Sequence, residues 1–250
     1  MLANWKMYPA PARAADLLAD VQERLREEAR GPLALPVVVV CPPVISLLAL
    51  HDVVDRRLVR LGAQNCHWEA EGAYTGETSP AMLAGIADYV MVGHSERRRA
   101  GETDDEIARK VAAIAAHGMT PILFTGEDEP TDAAAERTEE RLVRGLARFD
   151  ADAHRVVVVY EPTWAIGADE PAAAEHVARV VARLKERLRE RGAQRPTVIY
   201  GGTVTADNVD RFAALDVLDG VGATRATLAE ESFLEIVRSV ARASAEPTGM

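Results

Sequence analysis

Eight times along 250 residues, a short run of β-branched and apolar residues gives way to a longer stretch with helical period. The predicted strands are Leu2–Trp5, Val37–Cys41, Leu58–Gly62, Tyr89–Val92, Thr120–Phe124, Val156–Tyr160, Thr197–Tyr200 and a weaker one near Gly220–Gly222. Between them the period changes. Val177, Val180, Val181, Leu184 and Leu188 form an apolar stripe backed by Arg, Lys and Glu, the signature of an amphipathic helix. Thr103-Asp104-Asp105-Glu106 reads as a capping box that starts another, with Ile107, Val111 and Ile114 facing inward. Strand and helix in strict alternation, with no linker or low-complexity break, predict an α/β fold: a single (β/α)8 barrel spanning residues 1–250.

An open doubly wound sheet is the competing architecture. It usually carries G-x-G-x-x-G after its first strand, where this chain has Asn4-Trp5-Lys6-Met7. Gly220-Val221-Gly222 matches only in part and falls in the last unit. Hydrophobic residues make up 48% of the chain, enough for a large core. A net charge of −10 argues against nucleic acid or an anionic membrane as partner, and requires a local positive patch for any anionic substrate. Cys41 and Cys66 form no C-x-x-C pair, which fits a reducing cytoplasm. No signal-peptide core opens the chain, and prolines 36, 42 and 43 break its most apolar stretch, Leu33–Leu50. No Cys/His ligand spacing or H-E-x-x-H occurs, so neither a metal nor a cofactor is expected.

In a closed barrel, chemistry gathers at the carboxyl ends of the strands. The first strand ends in Asn4 and Lys6, and the fourth in Gly93-His94-Ser95-Glu96-Arg97. The sixth ends in Glu161, followed by Pro162-Thr163-Trp164-Ala165-Ile166-Gly167, a stiff apolar loop suited to fold over a small ligand. The seventh ends in Tyr200-Gly201-Gly202-Thr203 and the eighth in Gly222-Ala223-Thr224-Arg225. A carboxylate, an imidazole and an ammonium suit proton abstraction beside a carbonyl, and glycine-rich amides suit a phosphate. Singly, each has an ordinary alternative: Lys6 as a solvated cation, His94 as a helix cap, Glu96 and Arg97 as a structural ion pair, Gly201-Gly202 as a tight turn. Their joint occurrence at strand ends favours a site. Serine hydrolysis is disfavoured because Arg97 stands where the nucleophile elbow requires glycine.

These residues resemble the triosephosphate isomerase family, in which a carboxylate base and a neutral imidazole act under a closing loop. The matching segments are Asn4-Trp5-Lys6-Met7, Gly72-Ala73-Tyr74-Thr75-Gly76-Glu77, Gly93-His94-Ser95-Glu96-Arg97-Arg98, Tyr160 to Gly167 and Tyr200-Gly201-Gly202. The resemblance implies that Glu161 is the base and neutral His94 the carbonyl-polarising acid. Lys6 supplies positive charge, Asn4 orients the substrate and Glu96 supports the site from behind. It implies a loop from Pro162 to about Glu170 that closes and brings the Gly167 amide to the phosphate. It also places Thr203, Thr224 and Arg225 at the substrate, where Arg225 either adds a charge-assisted bond to phosphate or points outward and leaves the backbone amides to act alone. It further implies a phosphorylated ketose or aldose as substrate, glycolysis and gluconeogenesis as the setting, and a homodimer formed through the loop around Thr75.

Several positions depart from the family pattern. Thr224-Arg225 replaces two glycines, Thr203 a serine, and Phe124 a small residue behind the base; the lid ends in Ala168-Asp169-Glu170 rather than Thr-Gly-Lys. Arg225 and Cys66-His67-Trp68 resemble a branch acting on four-carbon ketose phosphates. Three readings follow: interconversion of dihydroxyacetone phosphate and D-glyceraldehyde 3-phosphate, the same chemistry on a tetrulose phosphate, and a sugar-phosphate-binding barrel without turnover.

Overall fold

The computed structural model describes residues 1–168 and 170–245; Asp169 of the expected lid and the last five residues of the expected domain lie outside them. The chain forms β1 (Leu2–Asn4), α1 (Pro11–Glu28), β2 (Val39–Cys41), α2 (Val44–His51), β3 (Arg60–Ala63), α3 (Pro80–Leu83), β4 (Tyr89–Val92), α4 (Ser95–Arg99) and α5 (Asp104–Ala116). It continues with β5 (Thr120–Thr125), α6 (Asp132–Gly145), β6 (Val157–Tyr160), α7 (Ala174–Glu190), β7 (Thr197–Tyr200), α8 (Val209–Ala213), β8 (Gly222–Ala223) and α9 (Glu230–Ala245). All eight strands are parallel neighbours in the order β7-β6-β5-β4-β3-β2-β1-β8. A bridge from Tyr200 to Val221 joins the two ends of that order. The result is the single (β/α)8 barrel expected from the alternation.

Period-two patterning divides the core into two layers. Leu2, Val39, Cys41, Met91, Ile122, Phe124, Val159 and Ile199 fill the barrel interior. The alternate residues, such as Leu123, Val158 and Tyr160, pack outward with the buried stripes of the helices. The capping box at Thr103 is present, with Glu106 accepting from the Thr103 amide. The α7 stripe Val177, Val180, Val181, Leu184 and Leu188 is buried.

Two expected strands begin later than the apolar runs suggest. Val37 is 61% exposed; its carbonyl accepts from the Met1 ammonium at 2.7 Å, but ladder pairing starts at Val39, opposite Leu2. Leu58 sits in a turn, its amide donating to the Asp55 carbonyl, and β3 starts at Arg60. The weak eighth strand is present where expected, as a bridge at Val221 followed by Gly222–Ala223. Among the described residues no helix is long and apolar enough to cross a membrane.

Candidate active site

Asn4, Lys6, His94, Glu161 and Thr224 line one cavity of about 60 Å3 at the carboxyl end of the barrel, with Phe124, Ile166 and Gly201-Gly202 among its other walls. Strand parity explains part of the convergence. Leu2 and Val159 point into the barrel, so Asn4 and Glu161, two residues on, point the same way. His94 needs a correction to that parity, and Gly93 provides it at φ 71°. A side chain there would also crowd the Phe124 carbonyl at 3.2 Å, so glycine is required on both counts.

His94 caps α4: its Nδ1 accepts from the Glu96 amide at 3.2 Å. An Nδ1 that accepts leaves the proton on Nε2, which faces Glu161 Oε1 at 3.1 Å. Burial, aided by the nearby Lys6 ammonium, pushes the imidazole pKa down to about 4. Burial also pushes the Glu161 carboxyl up to about 7, against the opposing hydrogen bond from the Ser95 amide at 2.9 Å. At neutral pH the pair is therefore a neutral imidazole beside a carboxyl whose pKa burial has raised into the neutral range, the condition of a usable general base.

Lys6 has φ 44°, the left-handed region, and is the only non-glycine residue with positive φ among those described. Two contacts hold it there. Its amide donates to Asn4 Oδ1 at 3.0 Å, and its carbonyl accepts from Gln64 Nε2 at 2.8 Å. The ammonium then reaches Glu96 Oε1 at 2.7 Å. Glu96 thus pairs with Lys6 rather than with Arg97, and it lies at the half-exposed rim beside His94 instead of behind the site.

The lid is folded onto this mouth, and Ile166 closes the cavity. Thr203 Oγ1 donates to the Ala165 carbonyl at 2.7 Å and accepts from the Gly167 amide at 3.2 Å. At the other side, Trp164 Nε1 donates to Glu127 Oε1 at 3.2 Å, and the Tyr160 hydroxyl and His176 meet the same oxygen. Tyr200 Oη accepts from the Ala172 amide at 3.3 Å. Gly167 and Thr203 are thus joined at the lid's edge. Arg225 stays exposed in a short 3-10 turn and is not among the cavity walls.

Gln64, Gly126 and Glu127 are the positioning residues that sequence reasoning missed. Gln64 directly follows β3, and Gly126 and Glu127 are the first two residues after β5, so the strand-end criterion that selected Glu161 would have selected them too. Gly126 is the tightest: a Cβ there would lie 1.9 Å from the Glu161 carbonyl oxygen. A much larger cavity, about 890 Å3, opens outside the barrel wall between α4, α6 and the start of the lid. Glu161 lines it too, but neither Lys6 nor His94 does, and the smaller cavity is the one where all three titratable groups meet.

A base, a neutral hydrogen-bond donor and an ammonium under a closing loop, at the carboxyl rim of a parallel barrel, define an isomerase of the (β/α)8 class. The chain belongs to the triosephosphate isomerase family, whose profile matches residues 1–240. The triosephosphate isomerase of Trichodesmium erythraeum is 39% identical over 240 residues, covering 94% of this chain and 95% of its own length. That of Roseiflexus castenholzii is 38% identical over 250 residues, with 95% of each chain covered. That of Carboxydothermus hydrogenoformans is 36% identical over 245 residues, covering 94% of this chain and 96% of its own.

Proposed function

We propose that this protein interconverts dihydroxyacetone phosphate and D-glyceraldehyde 3-phosphate through an enediolate. Family membership over residues 1–240 supports the activity. The observation that carries the mechanism is the 3.1 Å contact between His94 Nε2 and Glu161 Oε1 in a buried pocket. Glu161 removes the proton from one carbon of the hydroxy-carbonyl and returns it to the next. His94 donates its Nε2 hydrogen to the carbonyl oxygen and moves a proton between the two oxygens, as is standard for this enzyme class. Lys6 offsets the charge that develops on the enediolate and draws the dianion into a protein of net charge −10. Asn4 fixes the Lys6 backbone and offers its amide to the substrate.

The phosphate is assigned to the arc formed by Gly167, Thr203, Gly201-Gly202 and Thr224. The Gly167 amide, which donates to Thr203 Oγ1, turns to the phosphate together with the amides after Gly201. The Gly201 amide itself is held by the Tyr160 carbonyl. Arg225, exposed just beyond Thr224, adds positive charge at the entrance. Lid closure excludes water, and an enediolate kept from water is less prone to lose phosphate.

The assembly read here is a homodimer. Met7, Tyr8, Ile45, Leu48, Tyr74 and Met82 are exposed apolar residues, from 45% to 93% accessible. They come from three consecutive βα units, β1 to β3, and the loop around Thr75 stands among them. An apolar surface of this kind is a contact for another protein surface. A cytoplasmic, glycolytic or gluconeogenic setting follows from this activity.

A dehydrogenase-coupled assay of the purified protein, run with three- and four-carbon phosphates, tests the reading. Turnover of the triose phosphates is expected. Turnover of the tetrulose phosphate alone, or binding without turnover of either, would refute it.

A further inference from the structure

We propose that Phe124 sets the length of substrate this barrel accepts, by walling off the reacting end of the pocket. The inference rests on the proposed reaction and deepens it. In the ring of strands β5 lies between β4 and β6. The residue at its inward end therefore stands between the imidazole delivered by β4 and the carboxylate delivered by β6. Phe124 occupies that place. It is 4% exposed, lies opposite Val159 in the β5–β6 register, and its ring meets the His94 ring edge-on, with centroids 5.0 Å apart.

The walls assigned to the phosphate, Gly201-Gly202 and Thr224, directly follow β7 and β8 on the other arc of the same cavity. A substrate held there by its phosphate extends toward His94 and Glu161, with Phe124 ahead of it. A fourth carbon lengthens the reach from the phosphate, and the far end of the chain then meets the phenyl ring. In a cavity of about 60 Å3, walled on that side by a buried ring, little space is left to absorb it, because interiors are close-packed. Discrimination by one added carbon in such a pocket is worth about 10- to 200-fold.

The same ring has a second effect. Packed on His94, it holds the imidazole plane and keeps water off the His94–Glu161 pair. Removing the ring thus frees space and loosens the acid at once. The two consequences move three- and four-carbon turnover differently, so the ratio of the two is the informative quantity.

The experiment measures kcat/KM for a triose phosphate and a tetrulose phosphate on the wild type, Phe124→Ala and Phe124→Leu. Thermal melts establish that each variant is folded, and the leucine variant retains most of the buried apolar volume. The four- to three-carbon ratio is expected to rise at least about tenfold in Phe124→Ala, with a smaller rise in Phe124→Leu. Inhibition constants for phosphorylated hydroxy acids of increasing chain length are expected to shift the same way. An unchanged ratio in folded variants, or an equal fall on both substrates, would overturn the assignment of Phe124 while leaving wild-type triose turnover, read in the same series, to judge the activity itself.

Discussion

Nε2 of His94 and Oε1 of Glu161 lie 3.1 Å apart, with both side chains buried. The contact unites residues 67 positions apart in sequence that serve one proton path, and it fixes their protonation states together. The α4 amide of Glu96 holds Nδ1 as an acceptor, so the imidazole meets the carboxylate as a neutral donor. Burial then opposes charge on both partners, driving His94 down and Glu161 up.

That relationship predicts the pH dependence. Glu161 must be ionised to act, so kcat/KM is expected to fall tenfold per unit below about pH 7, with no limb from His94 until about 4. A phosphate monoester also titrates near pH 6, so a readout without substrate separates the two. The folded state holds the Glu161 proton more tightly than the unfolded chain. Its contribution to stability is therefore complete below about 4.5 and lost as pH rises to about 7. Glu161→Gln is expected to remove this dependence and to be more stable than the wild type at pH 8 in urea unfolding. An acid limb at the ordinary glutamate value would contradict the assigned environment.

Gly126 predicts a purely steric effect. A Cβ at 1.9 Å from the Glu161 carbonyl oxygen and 3.0 Å from the Pro162 nitrogen meets backbone that carries both the base and the lid. Gly126→Ala is expected to cost about 2–3 kcal/mol, lowering Tm by about 5–10 °C. It should also cut kcat more than tenfold by displacing Glu161. Wild-type melting and turnover would show that the backbone yields without cost.

Lys6 stores strain at the site. Its φ of 44° suits glycine and burdens any other residue by about 1 kcal/mol or more. Lys6→Ala and Lys6→Gly both lose the ammonium and should both lose activity, with KM rising. The glycine variant is expected to be more stable than the alanine variant by about 1 kcal/mol, read from urea midpoints. Equal stabilities would mean that the conformation is unstrained.

The exposed apolar residues predict association. The wild type is expected to sediment at twice the chain mass. Ile45→Glu, placed on an α2 residue that is 72% exposed, should shift it to a monomer at micromolar concentration. A wild-type monomer would contradict the homodimer.

The barrel was legible because strand-forming runs and helix stripes alternate through the whole chain, and because a parallel barrel puts its chemistry at strand ends. Lys6, His94 and Glu161 satisfied that rule on residue type alone, and the structure brings them to one cavity. Strand limits were less legible: the apolar run reaches back to Val37, whereas ladder pairing with β1 begins at Val39, opposite Leu2. The partner of Glu96 was not legible either, because choosing Lys6 over the adjacent Arg97 depends on where the chain turns after β1. Likewise the direction of Arg225 depends on the 3-10 turn that follows β8, which nothing in the Thr-Arg dipeptide specifies.

Glu161→Asp tests the central assignment most directly. The substitution retains the charge and withdraws the carboxylate by one methylene, about 1 Å, a displacement that costs on the order of 100-fold in a positioned base. With kcat measured on dihydroxyacetone phosphate and affinity measured on an unreactive phosphorylated hydroxy acid, kcat is expected to fall about 100-fold or more while affinity changes little. Turnover at the wild-type rate would show that the proton is moved by some group other than Glu161.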